Sequence, residues 1–543
     1  MRSPRAFTIL RWIADRWLVV AIHLDGLRAD PVAYLGAARW RLLGKRVRAR
    51  GQFAPLLSQS PLAYRYWARL QDREGRAASP PGERPAILAL VADNGDLAAL
   101  ETTRQTLAAE GVANMVITGA QALARPDLWP DLCTGVDWAD APWLLPMQAG
   151  DRLAPGAAEA YRVAIACTTA AVVYADDDVI DSREFRSTPH FKPDWNPELY
   201  RHFDYLTGTC IVRAGPEAVA AVAGQADWAA RLVSAAVAAG GAFHLRAMLH
   251  HRKRRPALPG AIAPVAIAAD LPMVSIIVPT RNRLGLLRTC LDGVAATRYP
   301  NFEVIVVDND SDDPATLAYL AKLDPARVRV LRHPGVFNYS AINNRAAAAA
   351  RGQLLCLLNN DIEVLAPDWL AIMATQALRN EVGAVGAQLL YPDGRIQHAG
   401  VVIGVGNAAG HAHRFVQPQA EGYFRRHALP QFTAAVTGAC LVVARERFLA
   451  VGGLDERNFA VAFNDVDLCL RLNSQGWQSL YEPRAVLIHH ESVSRGHDRD
   501  PVGAARFAGE LAALQRIWKT DSIVDPFHHP YLSRASEQFS VAI

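Results

Sequence analysis

Four carboxylates and one histidine in the second half of the 543-residue chain have types and surroundings that draw attention as chemistry. Asp361 closes the apolar run LLCLLNND, where Asn359 and Asn360 add two amide oxygens. Oxygen donors of this kind suit Mg²⁺ or Mn²⁺, which take few protein ligands and fill the rest of their shell with phosphate and water. NND alone is also an ordinary turn sequence, so the corner gains meaning only from its neighbours. His489 follows the strand-like AVLI; it completes a metal shell or plays a structural part. Asp465 and Asp467 open a helix in FNDVDLCLRL, and two residues apart they face different directions. One can reach a cleft as a general base, and Asp465 is assigned that role; Asp467 then pairs with Arg471 one turn on. Asp308 and Asn309 end FEVIVVDN, where they hydrogen-bond a base or ribose or form a plain turn. Pro279, Thr280 and Arg281 follow the first strand of this half and bring backbone groups to a nucleotide.

The elements around these residues alternate between strand and helix. VSIIVPT, FEVIVVDN, RVRVLR and LLCLLNND read as strands buried on both faces, the pattern of a parallel sheet. LGLLRTCLDGVAAT and SAINNRAAAAARG read as helices, the second stopped by Gly352. Ligands in such open sheets sit at the C-terminal strand ends, where Asp308 and Asp361 fall. The first half repeats the alternation with AILALVA, a helix through LAALETTRQTLAAEG, NMVITG and AAVVYAD. The fold class is therefore α/β.

The two halves also resemble each other. TGTCIVRA (207–214) parallels TGACLVVA (437–444), LAP (153–155) parallels LAP (365–367), DWAARL (227–232) parallels DLCLRL (467–472), and RAMLHH (246–251) resembles RAVLIHH (484–490). The order is the same, which makes duplication the better explanation than chance. Counting from these matches sets Ala149 opposite Asp361 and Gln225 opposite Asp465, so the first half lacks both acids. The run Asp176, Asp177, Asp178 falls on a later strand and reads as a solvated loop.

Jointly, VSIIVPTRNR, VIVVDNDS, FNYSAINNRAA, LCLLNNDIEV, LLYPDGRIQHAGVVIG, TGACLVVARERF, VGGLDERNFAVAFNDVDLCLRL and HHESVSRG resemble the family 2 glycosyltransferases of the GT-A fold, in particular the bacterial surface-polysaccharide type related to rhamnosyltransferases. The resemblance runs over roughly residues 273 to 530, including the closing DPFHHPYLS. It implies Asp465 as the base of an inverting transfer, Asp361 at the metal with His489 as a third-shell or metal contact, and Pro279, Thr280, Arg281 and Asp308 at the nucleotide; Asn309, Asn343, Asn359 and Asn360 join them as candidate nucleotide-sugar contacts, and Asp361 with His489 as the candidate metal residues. Many members carry DXD with two carboxylates where this chain has NND. YADDDVID and HFKPDWNPELY in the first half resemble the family's companion domain. The expected architecture is two tandem, Rossmann-like GT-A domains with mostly parallel sheets plus a helical N-terminal extension. The expected boundaries are 1–80 extension, 81–255 degenerate domain, 256–272 linker, 273–520 catalytic domain and 521–543 tail. The implied partners are a nucleotide-diphosphate sugar and a glycan or lipid-linked glycan acceptor. The competing readings are a silent glycan-binding scaffold and a nucleotidyltransferase, for which PTRNRLG is a poor loop.

Whole-chain charge is only +4, which argues neither for a nucleic-acid binder nor for an acidic tail, and no nucleic-acid partner is expected. Its distribution is uneven: residues 1–60 hold eleven Lys or Arg against three acids, among Trp, Ile and Leu at helical spacing. Two readings stand for this segment, a peripheral contact with the membrane surface or helices packed on the next domain. Seven widely spaced cysteines, mostly in apolar runs, read as reduced core residues of a cytosolic protein. With neither a signal peptide nor an 18-residue apolar run in sight, the expectation is a cytoplasmic protein, free or held peripherally at the inner face of the membrane.

Overall fold

The computed structural model describes residues 4–74, 85–117, 137–222, 224–490 and 501–543. The loop expected at 76–84, Cys133 and the end of HHESVSRG lie outside these residues. Four helices come first: α1 (Pro4–Ala29), α2 (Pro31–Leu42), α3 (Arg46–Ser58) and α4 (Pro61–Glu74).

A first sheet follows, with strands β1 (Ile87–Ala92), β2 (Ala113–Ile117), β3 (Trp143–Gln148), β4 (Arg152–Leu153), β5 (Val172–Ile180), β6 (Arg186–His190), β7 (Cys210–Val212) and β8 (Ala242–Arg252). No helix or strand interrupts residues 253–273. The second sheet uses β9 (Val274–Thr280), β10 (Phe302–Asp308), β11 (Val328–Arg332), β12 (Leu354–Leu358), β13 (Ile362–Val364), β14 (Val382–Leu390), β15 (Ile396–His398), β18 (Gln431–Thr433), β19 (Cys440–Ala444) and β20 (Gln478–His489). A small hairpin, β16 (Val401–Ile403) with β17 (Ala409–His411), stands apart.

Strand order shows the repeat directly. The first sheet runs β2-β1-β3-β7-β5-β8-β4, and the second runs β11-β10-β9-β12-β19-β14-β20-β13. Without the extra edge strand β11 the two orders coincide element for element. Register agrees as well: Leu144 pairs with Val212 in the first sheet and Cys356 with Val442 in the second. Stepping along each strand from those pairs brings Ala149 opposite Asp361, as the sequence comparison has it.

Both sheets are mixed rather than mostly parallel. β12 pairs in parallel with β9, but β19 runs antiparallel between β12 and β14. The reason lies in its connection, which brings the chain back from β18 instead of through a crossover helix. Alternate residues of the central strands feed two cores: Ile276, Val278 and Cys356 face one, Ile277, Leu355 and Leu357 the other.

Two sequence expectations change. The helix over SAINNRAAAAARG ends at Ala349, with Ala350 already extended, so Gly352 is not its stop. Gly352 is needed instead for close approach, since a Cβ there would sit 2.5 Å from the Ser275 nitrogen and 2.8 Å from the Leu354 oxygen. The acids Asp176, Asp177 and Asp178 are not solvated: they lie within β5, at most 3% exposed. Each has partners from distant segments, which a local run of acids does not reveal. Asp176 meets His244 and His529, each at 3.0 Å; Asp177 meets Lys192 and Arg252, each at 3.1 Å; Asp178 meets Arg186 and His251, each at 2.6 Å. Burial alone would push these carboxyls up, but their partners outweigh it and all three lie below the ordinary carboxylate value. Cys210, Cys290, Cys356, Cys440 and Cys469 are buried free thiols, while Cys167 is exposed.

Candidate active site

Because β19 is antiparallel to β12, its entry meets the end of β12. Leu358 pairs with Cys440, and the Asn359 N–H donates to the Ala439 carbonyl at 2.9 Å. Thr437, Gly438 and Ala439 thus lie beside Asn359. The helix Asn464–Ser474 starts against the same segment, and its Asp465 accepts the Gly438 N–H at 2.8 Å and the Val466 N–H at 2.8 Å. Phe463, just before the helix, has φ +61°, a left-handed conformation that a bulky side chain adopts at a cost and that turns Asp465 toward Gly438. Buried Glu510 holds the preceding loop by accepting the N–H groups of Val461 at 2.8 Å and Ala462 at 3.1 Å. From the far side, the Tyr339 hydroxyl donates to the Gly438 carbonyl at 2.9 Å.

β20 brings the histidine. His489 pairs with Ile362 of β13, which places its Nε2 3.1 Å from Asp361 Oδ1. Its Nδ1 lies 2.7 Å from Gln397 Oε1. With the Nδ1 proton donated to that oxygen, Nε2 presents a lone pair toward the carboxylate. A nitrogen and an oxygen lone pair facing each other at the end of a strand fit a divalent cation, and the carbonyl-type oxygen behind the imidazole is the support that metal-binding histidines need.

A cavity of about 360 Å³ opens between these groups, lined by Asn359, Gln397, Gly438, Asp465, His489 and Tyr339 among others. It gathers three residues expected from sequence, Asp465, Asn359 and His489, and Asp361 adjoins through His489. A second corner is built on the ends of β9 and β10. Thr280 pairs with Asp308, and the Asn360 Nδ2 donates to Thr280 Oγ1 at 3.0 Å, linking this corner to the end of β12. Asp308 accepts the Ser311 N–H at 3.0 Å and pairs with Arg332. Asn309 donates to the carbonyls of His333 at 2.8 Å and Gly335 at 3.1 Å, shaping the loop beyond β11. Pro279 is buried and Arg281 exposed. Asn343 is fully buried and donates to the Tyr339 carbonyl within its own helix, away from the cavity lining. Asp467 is the structural partner: it accepts from Arg471 Nε at 2.9 Å and from Trp518 Nε1 at 2.9 Å. Gln397, Tyr339, Gly438, Phe463 and Glu510 carry no mark of their own in the sequence. Gln397 and Gly438 stand in the runs RIQHAG and TGAC, which is the signal by which they could have been found.

One further group, Asp176, His244 and His529, has the residue types of a metal centre. The Tyr531 N–H donates to His529 Nδ1 at 3.1 Å, which leaves the proton of a neutral ring on Nε2, facing Asp176. His244 stands between Asp176 and Asp194; burial disfavours its charged form, but the two carboxylates outweigh that and raise its pKa. The cluster is a buried meeting of three distant segments, with both histidines 3.0 Å from Asp176.

The chain is thus an α/β protein whose candidate acids, amides and histidine gather at strand ends, the place where open α/β sheets take ligands. Residues 275–440 match the family model for glycosyl transferase family 2, and that segment belongs to the family. The chain is 40% identical over 417 residues to the uncharacterized protein y4gI of Sinorhizobium fredii, covering 68% of this chain and 46% of that protein. It is 39% identical over 432 residues to the O-antigen biosynthesis protein RfbC of Myxococcus xanthus, covering 71% of this chain and 33% of that protein. A shorter match, 48% over 63 residues, covers 12% of this chain and 20% of an N-acetylglucosaminyl-diphospho-decaprenol L-rhamnosyltransferase of Mycobacterium tuberculosis. The chain spans less than half the length of these curated relatives.

Proposed function

We propose that the cleft of the second sheet transfers a sugar from a nucleotide-diphosphate sugar to a growing surface glycan, with inversion at the anomeric carbon. The observation that carries this reading is the convergence of Asp465 and His489 on one cavity at the strand ends, with Asp361 behind His489 at 3.1 Å. Asp465 keeps a lone pair on each oxygen beyond the backbone N–H it accepts, so it can take the proton of an acceptor hydroxyl. As that proton moves to Asp465, the hydroxyl oxygen forms its bond to the anomeric carbon and the bond to the diphosphate oxygen breaks. The nucleoside diphosphate leaves with the electron pair. Asp361 and His489 would hold Mg²⁺ or Mn²⁺, which when bound neutralises the charge developing on the diphosphate. Asn360, Thr280 and Asp308 continue from that point along the strand ends, a track suited to the ribose and base.

Both sheets are read as GT-A-type domains, the first silent because Ala149 and Gln225 stand where the second has Asp361 and Asp465. The O-antigen and rhamnosyltransferase names of the relatives support a glycan or lipid-linked glycan acceptor and a deoxyhexose or hexose donor. The test is hydrolysis and transfer across a panel of nucleotide sugars with and without Mn²⁺. Turnover of one donor that depends on the metal is expected; turnover independent of metal would rule out Asp361 and His489 as holders of a cation.

A further inference from the structure

We infer that α1 to α3 form a docking surface for an anionic phospholipid bilayer. A helix packed on one side of a globular body keeps its outer face polar, and α1 does not. Ile22 is buried at 2% exposure, whereas Ile13, Trp17, Val20 and Leu24, spaced i, i+4, i+7 and i+11, form a second apolar stripe on the outside. Trp17 is 67% exposed. α2 repeats the arrangement: Ala37 is buried with Phe53 and Ala49 of α3, while Val32, Leu35 and Leu42 point outward, Leu42 at 88% exposure. Leu43, between α2 and α3, and Val47 at the start of α3 are exposed as well.

The charge around this surface decides the occupant. Eight exposed Arg or Lys side chains lie between residues 16 and 50, against Asp15, Asp25 and Asp30, and Asp25 already accepts the Ser60 hydroxyl at 2.6 Å. Tryptophan and basic residues are interleaved, with the Arg16 guanidinium 5.2 Å from the Trp12 ring and that of Arg48 3.9 Å from the Trp40 ring. Apolar stripes with indoles, bordered by cations, suit the boundary between headgroups and acyl chains, where an anionic leaflet attracts the basic rim. Among the described residues no helix is long and apolar enough to cross a membrane, so these helices lie on the surface. The platform is fixed to the body by α4: the Tyr64 hydroxyl donates to Asp178 at 2.5 Å, and Trp67 packs edge-on against Phe191 and Tyr531.

This surface goes beyond the transferase reading and is tested apart from it. The full chain is sedimented with vesicles of phosphatidylcholine alone, or with about a third phosphatidylglycerol, at low and high salt. Binding is expected with the anionic vesicles, weakened by salt, and little with the neutral ones. Trp17→Ser/Leu42→Ser should weaken it at least about tenfold, because two large apolar side chains leave the interface. Arg41→Glu/Arg46→Glu should do the same, each basic group near an anionic surface being worth about fivefold. Val336→Ser, at an exposed site on the second domain, is the control and should bind as the parent does. Equal binding to both vesicle types, or undiminished binding by both double variants, overturns the proposal. So does an absence of vesicle binding together with self-association that Trp17→Ser/Leu42→Ser abolishes, which would give the face to a second copy of the chain. Donor hydrolysis in solution by the surface variants separates this outcome from failure of the cleft chemistry.

Discussion

Replacing Asp465 with asparagine removes the proposed base while changing few atoms, and its consequences follow from the contacts around the carboxylate. One oxygen accepts from the Gly438 nitrogen and the other from the Val466 nitrogen, both at 2.8 Å. Asparagine keeps one acceptor oxygen, so its NH₂ must face one of these N–H donors. That mismatch costs about 1–3 kcal/mol locally, enough to lower the melting temperature measurably without unfolding a chain of this size. Loss of a general base lowers turnover about 10² to 10⁴-fold, or about 3–5 kcal/mol in the barrier. The two effects separate experimentally. Single-turnover transfer to an acceptor reads the chemical step, calorimetric titration with the unreactive nucleoside diphosphate reads binding, and thermal denaturation reads the local cost. The expectation is binding within about twofold of the parent and a transfer rate reduced at least about a hundredfold. A transfer rate within about tenfold of the parent, with binding intact, would refute the assignment of Asp465 as base.

Gln397 should matter through His489: Gln397→Ala frees the imidazole to take its proton on Nε2, and metal affinity should fall about 10- to 100-fold in a Mn²⁺ titration of donor hydrolysis, with turnover recovering at high Mn²⁺. Unchanged metal affinity would show that the Nδ1 contact does not set the tautomer. The Glu198–Arg379 pair, 2.7 Å apart across the two halves, should make the assembly acid-sensitive. Burial would raise the Glu198 pKa, but hydrogen bonds and charge from His202, Arg379 and Arg201 bring it down to about 2 from an ordinary 4.5. A depressed carboxylate contributes stability that is present above pH 4.5 and lost as pH falls toward about 2, here about 3 kcal/mol. Chemical denaturation of the parent and Glu198→Gln between pH 3 and 7 checks this; a difference that does not shrink as the pH falls would contradict it.

The strands that end at the site were legible because a buried parallel strand is a short apolar run. VSIIVPT, FEVIVVDN and LLCLLNND announce β9, β10 and β12, with the candidate site residues at the ends. What could not be read was whatever depends on two distant segments meeting. The antiparallel entry of β19 beside β12 makes Gly438 a neighbour of Asn359, and TGACLVVA looks the same in either direction. Gln397 becomes the support of His489 only because β15 and β20 flank β14. Asn343 shows what burial adds to a sequence reading: it lies inside its helix, with its Nδ2 donating to the Tyr339 carbonyl one turn back.

The acids of β5 were misjudged for the same reason, and they explain what the first sheet contributes. Its fold is kept even in detail, since Asp227 pairs with Arg231 as Asp467 pairs with Arg471. What differs is where its carboxylates stand. Ala149 at the end of β3 and Gln225 ahead of the helix Trp228–Gly240 stand where the second half has Asp361 and Asp465, while Asp176 and Asp178 inside β5 receive His529 from the C-terminal segment and Tyr64 from the N-terminal helices. Buried charges of this kind are costly to strip of their partners, so removing either terminal segment would take a donor away from a carboxylate in the centre of the first domain. The first sheet thus joins the helices that present the basic apolar face to the domain that holds Asp465.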